Sequence, residues 1–158
     1  MKKNKGIKIG IILAVLVLGV AYAAITANYS SNFDANVIFD DVSTSTTGAT
    51  ASVSTDKKTI TFTTQQMTTV GTSAVLTYKI KNTSNYGASV TKLTCTSSDG
   101  AFATYLSATP SRTTNLTVAK GATSAAETLT VSMIKSYPEA TAKSITYTCT
   151  MTATAQDA

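Results

Sequence analysis

The chain of 158 residues has no histidine, no tryptophan, two cysteines and few charged residues, 13% in all. Each shortage removes a class of chemistry. Without histidine, neither a Ser-His-Asp nor a Cys-His site can be assembled. The commonest zinc ligand is missing too, and an H-E-x-x-H helix cannot be written. The two cysteines have no C-x-x-C spacing, which argues against a redox pair. A nucleic-acid surface is also disfavoured. Of the 13 basic residues behind the formal charge of +5, Lys2, Lys3, Lys5 and Lys8 stand at the very start. From Ala24 onward nine Lys and Arg face eight Asp and Glu. A nearly neutral domain without interleaved basic and aromatic residues is not expected to bind nucleic acid. No cofactor and no metal is expected.

What is present begins with an address. The basic head precedes an uncharged run, Ile9 to Ala27, centred on Ile11 to Leu18, and Ala21-Tyr22-Ala23 places small residues at an A-x-A cleavage site. That is the layout of a secretory signal over residues 1–23, cleaved behind Ala23 and leaving a domain of 24–158. The same run approaches the roughly 20 residues of a membrane helix. Uncleaved, residues 9–27 would anchor the chain with its lysines on the cytoplasmic side. Either way the rest is exported, secreted or held at the cell surface.

Threonine fills about a fifth of the chain, and it suits a pleated, half-buried surface. The exported part reads as short strands of period two. Phe33, Ala35, Val37 and Phe39 share one face. Ala49 to Val53 and Ile60 to Phe62 flank Thr55-Asp56-Lys57-Lys58 as a hairpin. Ala74, Leu76, Tyr78 and Ile80 form the clearest strand. Ala88 and Val90 fall on even positions but Leu93 and Cys95 on odd ones, which predicts a bulge near Thr91-Lys92 or two strand halves facing different ways. A weaker segment spans Phe102 to Leu106, and Thr109-Pro110-Ser111 breaks it. Leu116 to Val118, Leu129 to Met133 and Ile145 to Ala155 complete the set. The expected fold is all-β, a single immunoglobulin-like antiparallel sandwich of about eight strands behind the N-terminal signal or transmembrane helix. A jelly roll or small barrel is the alternative.

Candidate functional residues are few. Cys95 and Cys149 lie on apolar strand faces. Export favours a bridge between them, worth about 4 kcal/mol in the chain-entropy model; two separately buried thiols would serve equally as small apolar residues. Tyr147, two residues before Cys149, has the spacing of a tyrosine corner. Asp34, Asp40 and Asp41 offer oxygens to calcium without matching a calcium loop. Glu127 and Glu139 are the carboxylates an acid–base pair would need. Tyr86, Tyr105 and Tyr137 fall in or near loops, where they could stack on a sugar or anchor a partner. Asn28, Asn82 and Asn115 begin N-glycosylation sequons. The segment 24–39 is a strand that directly follows the export signal. It is a candidate donor to another subunit's sheet edge, its alternative being to pair within its own domain.

The stretch Gly19-Val20-Ala21-Tyr22-Ala23-Ala24-Ile25-Thr26, behind a basic head and before a β-domain, resembles secreted Gram-positive proteins of the TasA/camelysin type. Leu76-Thr77-Tyr78-Lys79-Ile80-Lys81-Asn82, Thr117-Val118-Ala119-Lys120-Gly121 and Thr128-Leu129-Thr130-Val131 are similar to strands of extracellular immunoglobulin-like domains. The resemblance implies a structural protein of the cell exterior, such as a biofilm matrix or fibre, that associates with itself or with other surface proteins. Camelysin-like proteins are sometimes classed as metalloproteases. A chain without H-E-x-x-H does not inherit that activity, and no enzyme is expected. The alternative function is a monomeric extracellular module binding glycan or protein.

Overall fold

Eleven short strands and one helical turn follow one another in the computed structural model, which describes residues 35–138 and 142–156. The strands are β1 (Val37–Thr44), β2 (Thr50–Val53), β3 (Thr59–Thr63), β4 (Ser73–Asn82), β5 (Gly87–Val90), β6 (Thr94–Ser97), β7 (Leu106–Pro110), β8 (Leu116–Val118), β9 (Glu127–Met133), β10 (Thr146–Thr150) and β11 (Ala153–Gln156). The turn of helix, α1 (Gly100–Ala103), lies between β6 and β7. The described fold is all-β and every strand pairing is antiparallel.

Three sheets result, ordered β1-β4-β9-β7, β2-β3-β10-β6 and β11-β5-β8. The second and third are continuous through a bulge. Val90 pairs with Ala153 and Thr94 with Thr150, so residues 91–93 oppose only residues 151–152. Thr91 and Thr152 bond across the break, Thr91 N–H to Thr152 O at 2.9 Å and Thr152 N–H to Thr91 Oγ1 at 3.0 Å. The extra residue resets the inward parity, as the change from Ala88 and Val90 to Leu93 and Cys95 anticipates. Two such interruptions, in β5/β6 and β10/β11, account for much of the difference between eleven strands and the expected eight.

Alternation carries the core. In β4 the even residues Ala74, Leu76, Tyr78 and Ile80 are buried and Thr77, Lys79 and Lys81 turn outward. Val37, Phe39, Ile60, Phe62, Leu129, Val131, Tyr147 and Cys149 join them in one hydrophobic cluster. Phe39 meets Tyr78 edge-on, ring centroids 5.7 Å apart. At about 1.5–3 kcal/mol for each large apolar side chain removed from water, this cluster dominates the stability.

Strand β1 runs on to Thr44, past a break in register between Asp40 and Ser43 where Asp41 adopts φ 49°. One local expectation needs correction. The segment Phe102 to Leu106 is not a strand. Asp99 caps α1 by accepting the Phe102 N–H at 2.9 Å, and pairing resumes only at Leu106. Pro110 ends β7, an edge strand, where a residue without an N–H is tolerated. The predicted hairpin forms. Ser54 and Asp56 side chains close the turn on Lys58 N–H, and Lys57 takes φ 57°.

Candidate functional site

Cys95 and Cys149 are bridged. They sit directly opposite each other in β6 and β10, Cα atoms 4.0 Å apart. In immunoglobulin domains the disulfide spans the two facing sheets; here it joins neighbouring strands of one sheet. Tyr147 is buried beside it, which pushes its phenol pKa up.

Of the three loop tyrosines, two come together. Tyr137 packs edge-on against Tyr105 at 5.1 Å and against buried Phe102 at 4.9 Å. Lys143 Nζ stands 5.5 Å from the Phe102 ring centroid and 5.6 Å from that of Tyr137, within reach of a cation–π contact. Its ammonium also pairs with Asp99 at 2.6 Å. The Lys143 bond, with the Phe102 N–H second, holds the Asp99 carboxyl below its ordinary pKa, and Asp99 in turn raises that of Lys143. Ala101, Thr104, Tyr105, Tyr137 and Pro138 line a cavity of about 380 Å³ over this cluster. Tyr86 is elsewhere. It lies half exposed in the β4–β5 turn, where its carbonyl accepts from Asn82 Nδ2.

Sequence reasoning finds Tyr105 and Tyr137 but not what fixes them. Phe102 reads there as a strand residue, and Lys143 as one lysine among many. The available signal is Asp99-Gly100, since an aspartate can cap a helix.

The N-terminal candidates divide. Ala21, Ala23 and Phe33 lie outside the described residues. Ala35, Val37 and Phe39 are buried in this chain's own domain. Within β1, Val37 lies opposite Asn82 and Phe39 opposite Ile80 of β4. The other side of β1 meets the β2–β3 turn, through Phe39 N–H to Lys57 O at 2.9 Å and Lys58 Nζ to Val37 O at 2.5 Å. Ala35, Val37, Lys58, Met151, Thr152 and Ala153 line a smaller cavity of about 220 Å³.

Among the described residues the carboxylates do not assemble, and Asp34 lies outside them. Asp41 pairs with Lys79 at 2.7 Å, and among the described residues no group of three or more His, Cys, Asp or Glu could hold a metal. Glu139 lies outside the described residues. Glu127 belongs to a buried cluster with Arg112, whose Nε is 3.6 Å from Glu127 Oε2, the two side chains 9% and 12% exposed. At that distance Nε makes an ion pair and no hydrogen bond. The guanidinium's other nitrogens bond the bulge carbonyls, Nη1 to Val90 O at 3.1 Å and Nη2 to Thr91 O at 2.9 Å. Arg112 therefore ties the loop after β7 to the bulge. Asn82 is buried, its Nδ2 bonded to Tyr86 O, Val118 O and Ala119 O, so that sequon offers no acceptor nitrogen. Asn115 is exposed.

Among the described residues no helix is long and apolar enough to cross a membrane. No protein-family model, curated protein or solved structure gives a significant match to the chain.

Proposed function

We propose that this chain is an exported structural protein of the cell surface or extracellular matrix. On this reading its domain is an immunoglobulin-like sandwich, and its first strand joins one copy to the next. Connectivity supports the sandwich. The order β1-β4-β9-β7 parallels the A-B-E-D sheet of immunoglobulin domains in both neighbours and chain sequence. The bulged strand β5/β6 beside β10/β11 then corresponds to C beside F, and the β2–β3 hairpin takes the place of G. Inward side chains from both layers belong to one cluster, as face-to-face sheets require.

One observation carries the assembly reading: β1 is an end strand that fills the core. It pairs along one side with β4 and inserts Val37 and Phe39 against Ile80 and Tyr78. The same bonds and the same burial are available to β1 of another copy, by strand addition. Repeated head to tail, that exchange yields an open filament. Other copies, or other surface proteins with a matching strand, are the partners. Membrane contact runs only through residues 9–27, where these are retained.

Outward-facing Ile38 and Lys81 are directly paired across β1 and β4, so an Ile38→Cys/Lys81→Cys chain reports who supplies β1. Oxidised assemblies are expected to run as a ladder of covalent multimers on a non-reducing gel. The companion experiment images the chain with and without residues 24–39 by electron microscopy; filaments should need the segment. Monomers alone from oxidised filaments, or equal assembly with and without 24–39, would sink the reading.

A further inference from the structure

We infer that the cavity beside Tyr105 and Tyr137 is a binding site for an uncharged saccharide. The inference is independent of strand exchange. Its first support is position. Strand β4 runs from Ser73, which pairs with Ser132 near the end of β9, to Asn82, which pairs with Val37. Ten residues of strand span about 30 Å. Tyr105 stands at the Ser73 end, since its carbonyl accepts the Ile134 N–H at 2.9 Å just beyond β9. Strand β1 begins at the Asn82 end, so the cavity lies at the opposite end of the domain from the start of β1.

The second support is chemistry. Tyrosine pairs an apolar ring with a hydroxyl. A pyranose has the same duality, with C–H faces and a rim of hydroxyls. The rings of Tyr105 and Tyr137 meet at 82°. That makes a corner able to receive one saturated ring, unlike the lined groove that an extended proline-rich peptide occupies. The volume of about 380 Å³ lies in the lower part of the range for small-molecule sites.

Charge is the third support. Among the described residues, Asp99 and Lys143 are the ion pair set against the aromatic cluster, bonded to each other at 2.6 Å. Their fields largely cancel at the cavity, which favours a neutral ligand over an acidic or basic one. The same pair fixes the walls: Asp99 caps α1, and Lys143 lies over Phe102 and Tyr137. A wall already ordered loses little entropy on binding. Half-exposed Ile134 and Val70 extend the apolar surface at this end of the domain.

The full chain, purified in mild detergent, is applied to an array of neutral and acidic glycans and to a decaproline peptide. Hits are titrated with the soluble oligosaccharide by calorimetry. Binding to one or more neutral glycans is expected. Tyr105→Ala should weaken it at least tenfold, as loss of an anchoring aromatic does. Thr104→Trp, at an exposed position that lines the cavity, should block it without touching the core. Tyr86→Ala, at the other end, should leave it unchanged. No binding to any neutral glycan, preference for acidic glycans or for decaproline, or binding that survives Thr104→Trp in a folded protein would each overturn the inference.

Discussion

The two main sheets are built on the same alternation but held by different means. The strands β2, β3, β10 and β6 contain no Asp, Glu, Lys or Arg. Their outer face is a threonine and serine array, with Ser52, Thr61, Thr148 and Thr96 in register across all four strands. Beside that row, Thr63 and Thr146 hydroxyls bond at 2.9 Å, and the disulfide crosses between β10 and β6. The strands β1, β4, β9 and β7 carry Asp40, Asp41, Lys79, Lys81 and Glu127. Here Lys79 pairs with Asp41 outside, while Glu127 and Arg112 pair inside beside Tyr78. Beyond the shared core, one sheet adds a covalent bond and hydroxyl pairs, which salt barely affects. The other adds charges, which respond to salt, pH and the loss of a partner.

The largest effect should come from the charged sheet. Arg112→Ala leaves Glu127 almost buried without its cation and removes the donor from two bulge carbonyls. Breaking a buried pair on one side costs about 3–5 kcal/mol, read as a lower urea midpoint at unchanged slope. Arg112→Met with Glu127→Leu should recover most of that loss. A single-variant cost below about 1 kcal/mol would mean that the ion pair is not what holds this corner.

Next comes the neutral sheet's covalent tie. Replacing both Cys95 and Cys149 by alanine should cost about 2–4 kcal/mol. The cost should be the same at pH 6 and pH 9, because neither residue titrates while bridged. A cost that changes across that range would tie the bridge to the charged sheet.

Alkali then separates the two sheets. Tyr78 has its phenol pKa pushed up to about 12, first by burial and then by Glu127, with Arg112 opposing. Its unfolded value is about 10. A group whose folded value is raised gives its full contribution below the unfolded value and loses it as pH climbs through the folded one. Stability should thus fall between about pH 10 and 12, by roughly 2–3 kcal/mol from this residue. Tyr147 acts in the same direction through burial alone. Tyr78→Phe should flatten the alkaline limb more than Tyr147→Phe does; the reverse order would overturn the assignment.

These contrasts show what the sequence made legible. Period two in Ala74 to Ile80 and in Ile145 to Ala155 located strands and inward faces, because a strand half-exposed to water must alternate. The parity change at Thr91-Lys92 located the bulge for the same reason. What spacing did not reveal was pairing across long separations. Nothing near Arg112 says that its guanidinium reaches the carbonyls of Val90 and Thr91, and nothing near Lys143 says that it covers Phe102. Cys95 and Cys149 were legible as a pair. Their placement within one sheet was not, because alternation gives the face of a residue but not its neighbour. The aromatic cavity was half legible: loop tyrosines were visible, and the capped turn that gathers two of them was not.

The smallest effects test the comparison most directly, on the two outer faces. Lys79→Ala removes an exposed ion pair with Asp41, a small loss because water screens the pair. Thr148→Ala removes cross-strand contacts with Thr61 and Thr96, worth about 0.2–1 kcal/mol. In dilute buffer the two losses can be equal, so size alone does not separate them. Salt does. An exposed pair is screened over a few ångströms in concentrated salt, so the Lys79→Ala penalty should shrink toward zero in 1 M sodium chloride. The threonine contacts are methyl packing and neutral hydroxyl bonds, and nothing in them is screened. The Thr148→Ala penalty should therefore persist, measured as the difference in midpoint from the parent chain at each salt concentration. Equal salt dependence of the two variants would mean that the faces differ in composition but not in what holds them.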